Sequence, residues 1–249
     1  MNVLITGMSG LIGGATRERL APHARLSALN RSRVDGIPTT RADLADFDAI
    51  RPAFEDQHTV VHLAAKAGNQ YSWEELLQTN VIGTRNVVEA ARQAGCRRLV
   101  FASSGATTTG WEYEEPYKAL SEGRYEDVPD AWTMIRHDMP ARTRGTYGAT
   151  KVWGETLCRD AADASELSAL CLRIGYVNAE NRPTRPRHFS VWCSQRDVAE
   201  AIALAVEAPE ELRFDVFFVN SRNRWGYRDL SHAAEAVGFV PRDAAEEHR

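Results

Sequence analysis

Cysteine is scarce in this chain of 249 residues: Cys96, Cys158, Cys171 and Cys193 are the only four. None forms a CxxC pair, and their separations suit no zinc site, so free buried thiols in a reducing cytoplasm and no metal are expected. No apolar run approaches the roughly 20 residues a membrane helix requires. The apolar start, Val3-Leu4-Ile5, is too short for a signal peptide and runs straight into Gly7. A cytoplasmic protein with no membrane contact is the expectation. Charge of one sign is also lacking: 30 Lys and Arg against 34 Asp and Glu leave a net charge of -4. Such a balance gives no global field toward nucleic acid or anionic lipid, and no nucleic-acid partner is expected. No GxSxG elbow supports a hydrolase. The local basic clusters, Arg31/Arg33 and Arg182/Arg185/Arg187, suit a phosphate or a carboxylate.

What is present is an alternation of short apolar runs and helical patterns. Strands are expected at 2–6, 25–29, 59–64, 98–102, 167–174 and 215–220. Helices are expected at 11–20, 48–54, 73–94, 147–161, 197–207 and 227–237, with a short element at 187–194. Apolar strands separated by helices predict an α/β fold, a Rossmann-type doubly wound parallel sheet covered on both faces. Residues 1–166 read as the dinucleotide-binding part and 167–249 as the last strands interleaved with a small C-terminal substrate-binding part. Between 105 and 146 the rhythm breaks for longer than an ordinary loop. Trp111, Tyr113, Tyr117, Tyr125 and Trp132 lie in this segment; so many large aromatics favour a lid or a helical excursion over a disordered loop. The polar end, 242–249, is expected to trail on the surface.

Gly7, Gly10 and Gly13 follow the first strand and open the first helix, the context a dinucleotide fingerprint needs. Glycine lets the backbone approach a pyrophosphate, and helix N-terminal amides meet its charge. The expected contacts of this turn are Gly7, Ser9, Gly10, Leu11, Ile12 and Gly13. At the end of the second strand an NAD site places an acidic residue against the ribose hydroxyls. This chain has Asn30, followed by Arg31-Ser32-Arg33. Guanidinium groups bind a 2′-phosphate by charge-assisted hydrogen bonds, so NADP is preferred and NAD is the alternative. Asp43 and Leu44 are placed beside the adenine, and Leu63-Ala64-Ala65 where small side chains let the backbone pass close to the cofactor.

Tyr147 and Lys151 stand four apart at a helix start and share a face. A phenol of pKa about 10 is a poor base at neutral pH, but an ammonium beside it favours the phenolate. Tyr147 then exchanges a proton with a substrate hydroxyl while hydride moves, and Lys151 also reaches the nicotinamide ribose. Ser104, at a strand end, is placed to hold the substrate oxygen; Ser103, one residue nearer the strand interior, borders the cofactor. Asn80 fixes the cofactor loop or a water, or packs inside its helix. His62 reads as a satisfied core histidine.

These segments together, TGMSGLIG at 6–13, HLAA at 62–65, NVIGTRNVVEAA at 80–91, FASS at 101–104, YGATK at 147–151 and LRIG at 172–175, resemble the extended short-chain dehydrogenase/reductases of the NAD-dependent epimerase/dehydratase superfamily. The resemblance implies catalytic roles for Ser104, Tyr147 and Lys151, a structural or water-holding role for Asn80, and a homodimer built on the helices at 73–94 and 147–161. SVWCSQRDVAEAI at 190–202 and the ending GFVPRDAAEEHR are similar to the short uronate dehydrogenases, which oxidise the anomeric carbon of a hexuronic acid with NAD. In that group the strand ends Ser-Ser-Asn-His and the Asn and His help bind the substrate carboxylate; here those two positions are Gly105 and Ala106. Arg187, or Arg185 under another gap placement, corresponds to the group's substrate-binding arginine. Gln70, Ser104, Gly105, Arg187 and Trp192 are therefore the expected substrate contacts, with Asn223 and Trp225 lining the same cleft.

The expected activity is hydride transfer between NAD(P) and a hydroxyl or carbonyl of a sugar, sugar acid or related polyol, a small and in part carboxylate-bearing substrate. An epimerase holding its cofactor tightly is the alternative. A cofactor-binding regulator or scaffold without turnover is the alternative of another class.

Overall fold

A computed structural model describes residues 1–248. Among the described residues seven strands form one sheet: β1 (Asn2–Thr6), β2 (Arg25–Asn30), β3 (Thr39–Arg41), β4 (Thr59–His62), β5 (Arg98–Ser104), β6 (Ser168–Ile174) and β7 (Phe214–Val219). Every pairing is parallel, in the order β3-β2-β1-β4-β5-β6-β7. The helices are α1 (Leu11–Leu20), α2 (Phe47–Ile50), α3 (Trp73–Leu76), α4 (Gly83–Gln93), α5 (Tyr117–Glu122), α6 (Thr146–Ala164), α7 (His188–Val191), α8 (Gln195–Glu207) and α9 (Ser231–Val237).

The period of two along each strand sorts the core into two layers. Val3, Ile5, Val61, Val100 and Leu172 face one way and pack with Val198, Ile202 and Ala205 of α8. Leu4, Val60, Leu99, Phe101 and Cys171 face the other way, against Val87 and Ala91 of α4 and Cys158 and Ala162 of α6. Burial on both faces explains why these strands read as continuous apolar runs. The strand order reverses between β1 and β4, and in such sheets the crevice opens at the carboxyl ends of the strands around that switch point.

The structure adds detail to the sequence reading and departs from it in places. β3 has only three residues, Thr39-Thr40-Arg41, too short and too polar to announce itself. The expected helix at 73–94 is interrupted by a π-helical stretch, Leu77–Ile82, whose wider turn carries Asn80 inward. The segment after β5 is a 3₁₀ helix (Gly105–Tyr113), then α5, then a further 3₁₀ turn (Tyr125–Asp127). It joins a third core in which Tyr117, Leu120 and Ile135 meet Val191, Phe218 and Tyr227.

The polar end is pinned rather than trailing. Buried Asp197 accepts the backbone N–H groups of Arg242 and Asp243. Asp243 in turn accepts from Ser194 Oγ and pairs with Arg196, and Ala245 is fully buried. A carboxylate enclosed at the start of α8 needs donors, and the end of the chain provides them. Arg249 lies outside the described residues.

Candidate active site

Two adjoining clefts, of about 520 and 530 Å³, run along the carboxyl edge of the sheet and share Leu63 and Ala65. The first is lined by Gly7, Ser9, Gly10, Asn30, Arg31, Ser32, Asp43, Leu44, Ala64 and Lys66. Gly7 sits at φ 73°, and a Cβ there would fall 2.9 Å from the backbone of Ala64. At Gly13 a Cβ would fall 2.5 Å from Gly7 O and 2.6 Å from Met8 Cα, so helix and turn pack too closely for any side chain. Thr6 Oγ1 accepts from Ala64 N at 3.1 Å, which fastens the end of β4 to β1.

Asn30 is buried, yet among the described residues neither its amide nitrogen nor its carbonyl oxygen has a hydrogen-bond partner. Buried polar groups of this kind are costly unless a ligand satisfies them. Vicinal ribose hydroxyls, each donor and acceptor, match an amide placed at this strand end. The residues present therefore fit a dinucleotide. Arg31 and Ser32 border the cleft, whereas Arg33 is exposed and does not line it. Of the remaining turn residues, Ile12 faces the second cleft and Leu11 is exposed.

The second cleft brings together Gln70, Ser103, Ser104, Gly105, Tyr147, Lys151, Arg187 and Arg228. Ser104 caps the 3₁₀ helix by accepting from Ala106 N at 3.1 Å, which leaves its hydroxyl hydrogen to donate. Burial pushes the Tyr147 phenol above its ordinary value, and the Ser104 hydroxyl works in the opposite direction. Lys151 is buried; its Nζ donates to Ala102 O at 2.7 Å and lies 5.9 Å from the Tyr147 ring centre. Desolvation brings that ammonium down to about 8, partly opposed by nearby groups that include Glu155. Asn80 ties this cleft to the first: its Oδ1 accepts from Lys66 N at 2.8 Å, and its Nδ2 donates to Lys66 O at 3.1 Å and Thr150 Oγ1 at 3.2 Å.

Several expected contacts are placed differently. Trp192 does not line the cleft; it is buried edge-on against His248, because the pinned chain end covers it. Asn223 donates to Trp192 O, and Trp225 stacks on Tyr125 at 4.2 Å, both outside the cleft. Ser103 lines the second cleft, and its hydroxyl donates to Glu155 at 2.5 Å, within a buried pair that Glu155 forms with Arg173. Arg187 borders the cleft but is bound to Glu112 through two hydrogen bonds, Nε at 2.8 Å and Nη2 at 2.6 Å. His62 is a satisfied core residue, 2.7 Å from Thr6 Oγ1 and 3.2 Å from Thr84 Oγ1.

Three residues of the site had no sequence signal. Asn69 accepts from Tyr147 N and donates to Arg144 O, fastening the start of α6. Glu112 is buried and also accepts from Tyr227 Oη at 2.6 Å; burial raises its pKa, but Arg187 outweighs that and holds it below the ordinary carboxylate value. Arg228 enters from the C-terminal segment.

A dinucleotide-type crevice opening on a Ser-Tyr-Lys cluster defines a class of redox enzyme. Residues 3–192 match the NAD dependent epimerase/dehydratase family, and the chain belongs to it as a catalytic member. It is 32% identical to L-arabinose 1-dehydrogenase (NAD(P)(+)) of Haloferax volcanii, over 97% of this chain and 96% of that one. It is 33% identical to uronate dehydrogenase of Agrobacterium fabrum, over 99% and 86%. A crystal structure of a uronate dehydrogenase mutant from Agrobacterium tumefaciens, complexed with NAD, superimposes with a TM-score of 0.82 at 32% identity, covering 100% of this chain and 87% of that one.

Proposed function

We propose that this chain is an NAD(P)-dependent dehydrogenase that oxidises a hydroxyl of a sugar or sugar acid, the anomeric hydroxyl in the first instance, with Tyr147 as the acid/base. The observation that carries this reading is the meeting of Ser104, Tyr147 and Lys151 in a cleft continuous with the Gly7–Gly13 turn. The similarity to an arabinose 1-dehydrogenase and to uronate dehydrogenases supports the substrate class.

Bound nicotinamide supplies the hydride acceptor. Ser104 Oγ–H donates to the substrate oxygen and holds it against Tyr147, and the Tyr147 phenolate removes the hydroxyl proton. The Lys151 ammonium, near the Tyr147 ring, favours the phenolate by Coulomb attraction. Asn80 fixes the loop at Lys66 that joins the two clefts. NADP is the proposed preference over NAD: Asn30 carries no charge to repel a 2′-phosphate, and Arg31 borders the place it would occupy.

The test is turnover of a panel of aldoses and hexuronates with NADP and NAD, read as formation of reduced cofactor. Net formation supports a dehydrogenase; substrate conversion without it points to the epimerase. In Tyr147→Phe, kcat falls by about 10²–10⁴ with cofactor affinity kept. Retained turnover overturns the assignment of Tyr147.

A further inference from the structure

We infer that Arg228 is the residue that selects an anionic sugar in this cleft, a role it takes over the bare backbone of Gly105. The inference rests on the dehydrogenase reading above and adds the substrate feature and the residue that reads it.

Arg228 is only 4% exposed, yet among the described residues no carboxylate forms an ion pair with its guanidinium. Its one hydrogen bond among the described residues is from Nη2 to Gly105 O, at 3.0 Å, and its buried Nε has no acceptor. Its guanidinium lies near the Phe218 and Tyr227 rings, and neither Glu112 nor Glu155 hydrogen-bonds to it. Glu112 is taken by Arg187 and Tyr227, and Glu155 by Arg173 and Ser103. The group is desolvated at the wall of the cleft that holds Ser104 and Tyr147, and burial outweighs the favourable influence of Tyr227 and Glu112, which Arg187 and Arg173 oppose. A buried guanidinium with an unfilled donor is costly, and an oxyanion entering the cleft supplies a paired charge and the missing acceptor.

The position is made available by glycine. A Cβ built on Gly105 would collide with Nη1, Cζ and Nη2 of Arg228. Any side chain at 105 therefore displaces the guanidinium. Gly105 and Arg228 are a pair: one clears the space beside Ser104, and the other fills it from a strand-like segment 123 residues further along the chain. The shared ligand chemistry is an oxyanion on the sugar, either a carboxylate or a phosphate ester.

The experiment compares wild type with Arg228→Met, Arg228→Lys and Gly105→Ala. Each protein, loaded with oxidised cofactor, is titrated with D-galacturonate, D-galactose 6-phosphate and neutral D-galactose, and kcat and KM are measured for the same three sugars. The expected result is that wild type favours one of the two anionic sugars over galactose. That preference, as a ratio of kcat/KM, falls at least tenfold in Arg228→Met, mainly through KM, and is partly restored in Arg228→Lys. Gly105→Ala gives the same loss with Arg228 still present. The anion that shows the preference identifies the source. Melting temperature and cofactor affinity report whether each variant is folded; should Arg228→Met fail to fold, Gly105→Ala and Arg228→Lys decide. An unchanged ratio in the folded variants, or no preference in wild type, overturns the inference. Anion binding without turnover of any sugar leaves the oxyanion site standing and overturns the dehydrogenase reading instead.

Discussion

Arg187 closes on Glu112 through two parallel hydrogen bonds, Nε to Oε2 at 2.8 Å and Nη2 to Oε1 at 2.6 Å, at the wall of the cleft that contains Tyr147. Glu112 is enclosed, whereas the Arg187 side chain keeps about a third of its surface in water. The arginine expected to clamp substrate is thus already clamped, and it positions the wall. Replacing Glu112 by Gln keeps an acceptor for Tyr227 but removes the charge facing Arg187. Breaking a buried pair costs about 3–5 kcal/mol; with one partner partly solvated, roughly 2–3 kcal/mol is expected. Chemical denaturation of Glu112→Gln measures it, and a loss within error would show that the pair contributes nothing net.

Asn80 makes three hydrogen bonds that fasten the loop after β4 to α6. Asn80→Ala leaves the Lys66 N–H and C=O groups to find water in a half-buried loop, at a cost of about 1–3 kcal/mol. Because that loop joins the two clefts, cofactor affinity is expected to fall together with stability. A variant that loses stability and binds cofactor as before would confine Asn80 to packing.

Arg31 borders the first cleft and Arg33 does not. If a 2′-phosphate is read there, Arg31→Ala raises the Kd for NADP about tenfold, the loss of one charge-assisted hydrogen bond of about 1.4 kcal/mol. The Kd for NAD moves less, and Arg33→Ala changes neither by much. Equal effects of Arg31→Ala on both cofactors would remove the phosphate reading.

His62 is held neutral. Burial, with a smaller contribution from the Lys151 ammonium, brings its pKa from 6.5 down to about 3. Its folded value lies below its unfolded one, so the unfolded chain binds the extra proton between these limits. The stability associated with a neutral His62 is complete above about pH 6.5 and is lost as pH falls toward 3, by up to about 1.4 kcal/mol for each pH unit. Melting temperature followed from pH 7 to pH 4 should fall less steeply in His62→Gln than in wild type. Parallel profiles would mean that His62 titrates normally.

Local segments carried most of the fold in legible form. The runs Val3-Leu4-Ile5 and Leu99-Val100-Phe101 are apolar because both sheet faces are covered. Thr39-Thr40-Arg41 escaped notice because an edge strand of three residues buries almost nothing and so needs no apolar pattern. Asn80 stood out as a polar break in a helix, but the π-helical stretch that turns it inward depends on what it meets, the loop at Lys66 and Thr150. Trp192 was misplaced because a large apolar side chain in a short element gives no indication of which wall it packs against. The cover it found, His248, belongs to a chain end that looked free.

The sequence by itself determined what short-range geometry controls: a glycine turn at Gly7, Gly10 and Gly13 whose first and last positions admit no side chain, a Tyr147–Lys151 spacing that fixes one helix face, and a strand ending in Ser104. These are settled within a few residues by backbone sterics and helix periodicity, and together they define the family and the dinucleotide crevice. Tertiary structure decided the substrate wall. Glu112 meets Tyr227 across 115 residues, and Gly105 meets Arg228 across 123. Such pairs carry no local period or motif; they exist because the segment after β5 and the segment after β7 are packed into one apolar core, which places a buried charge where only the assembled fold makes room for it.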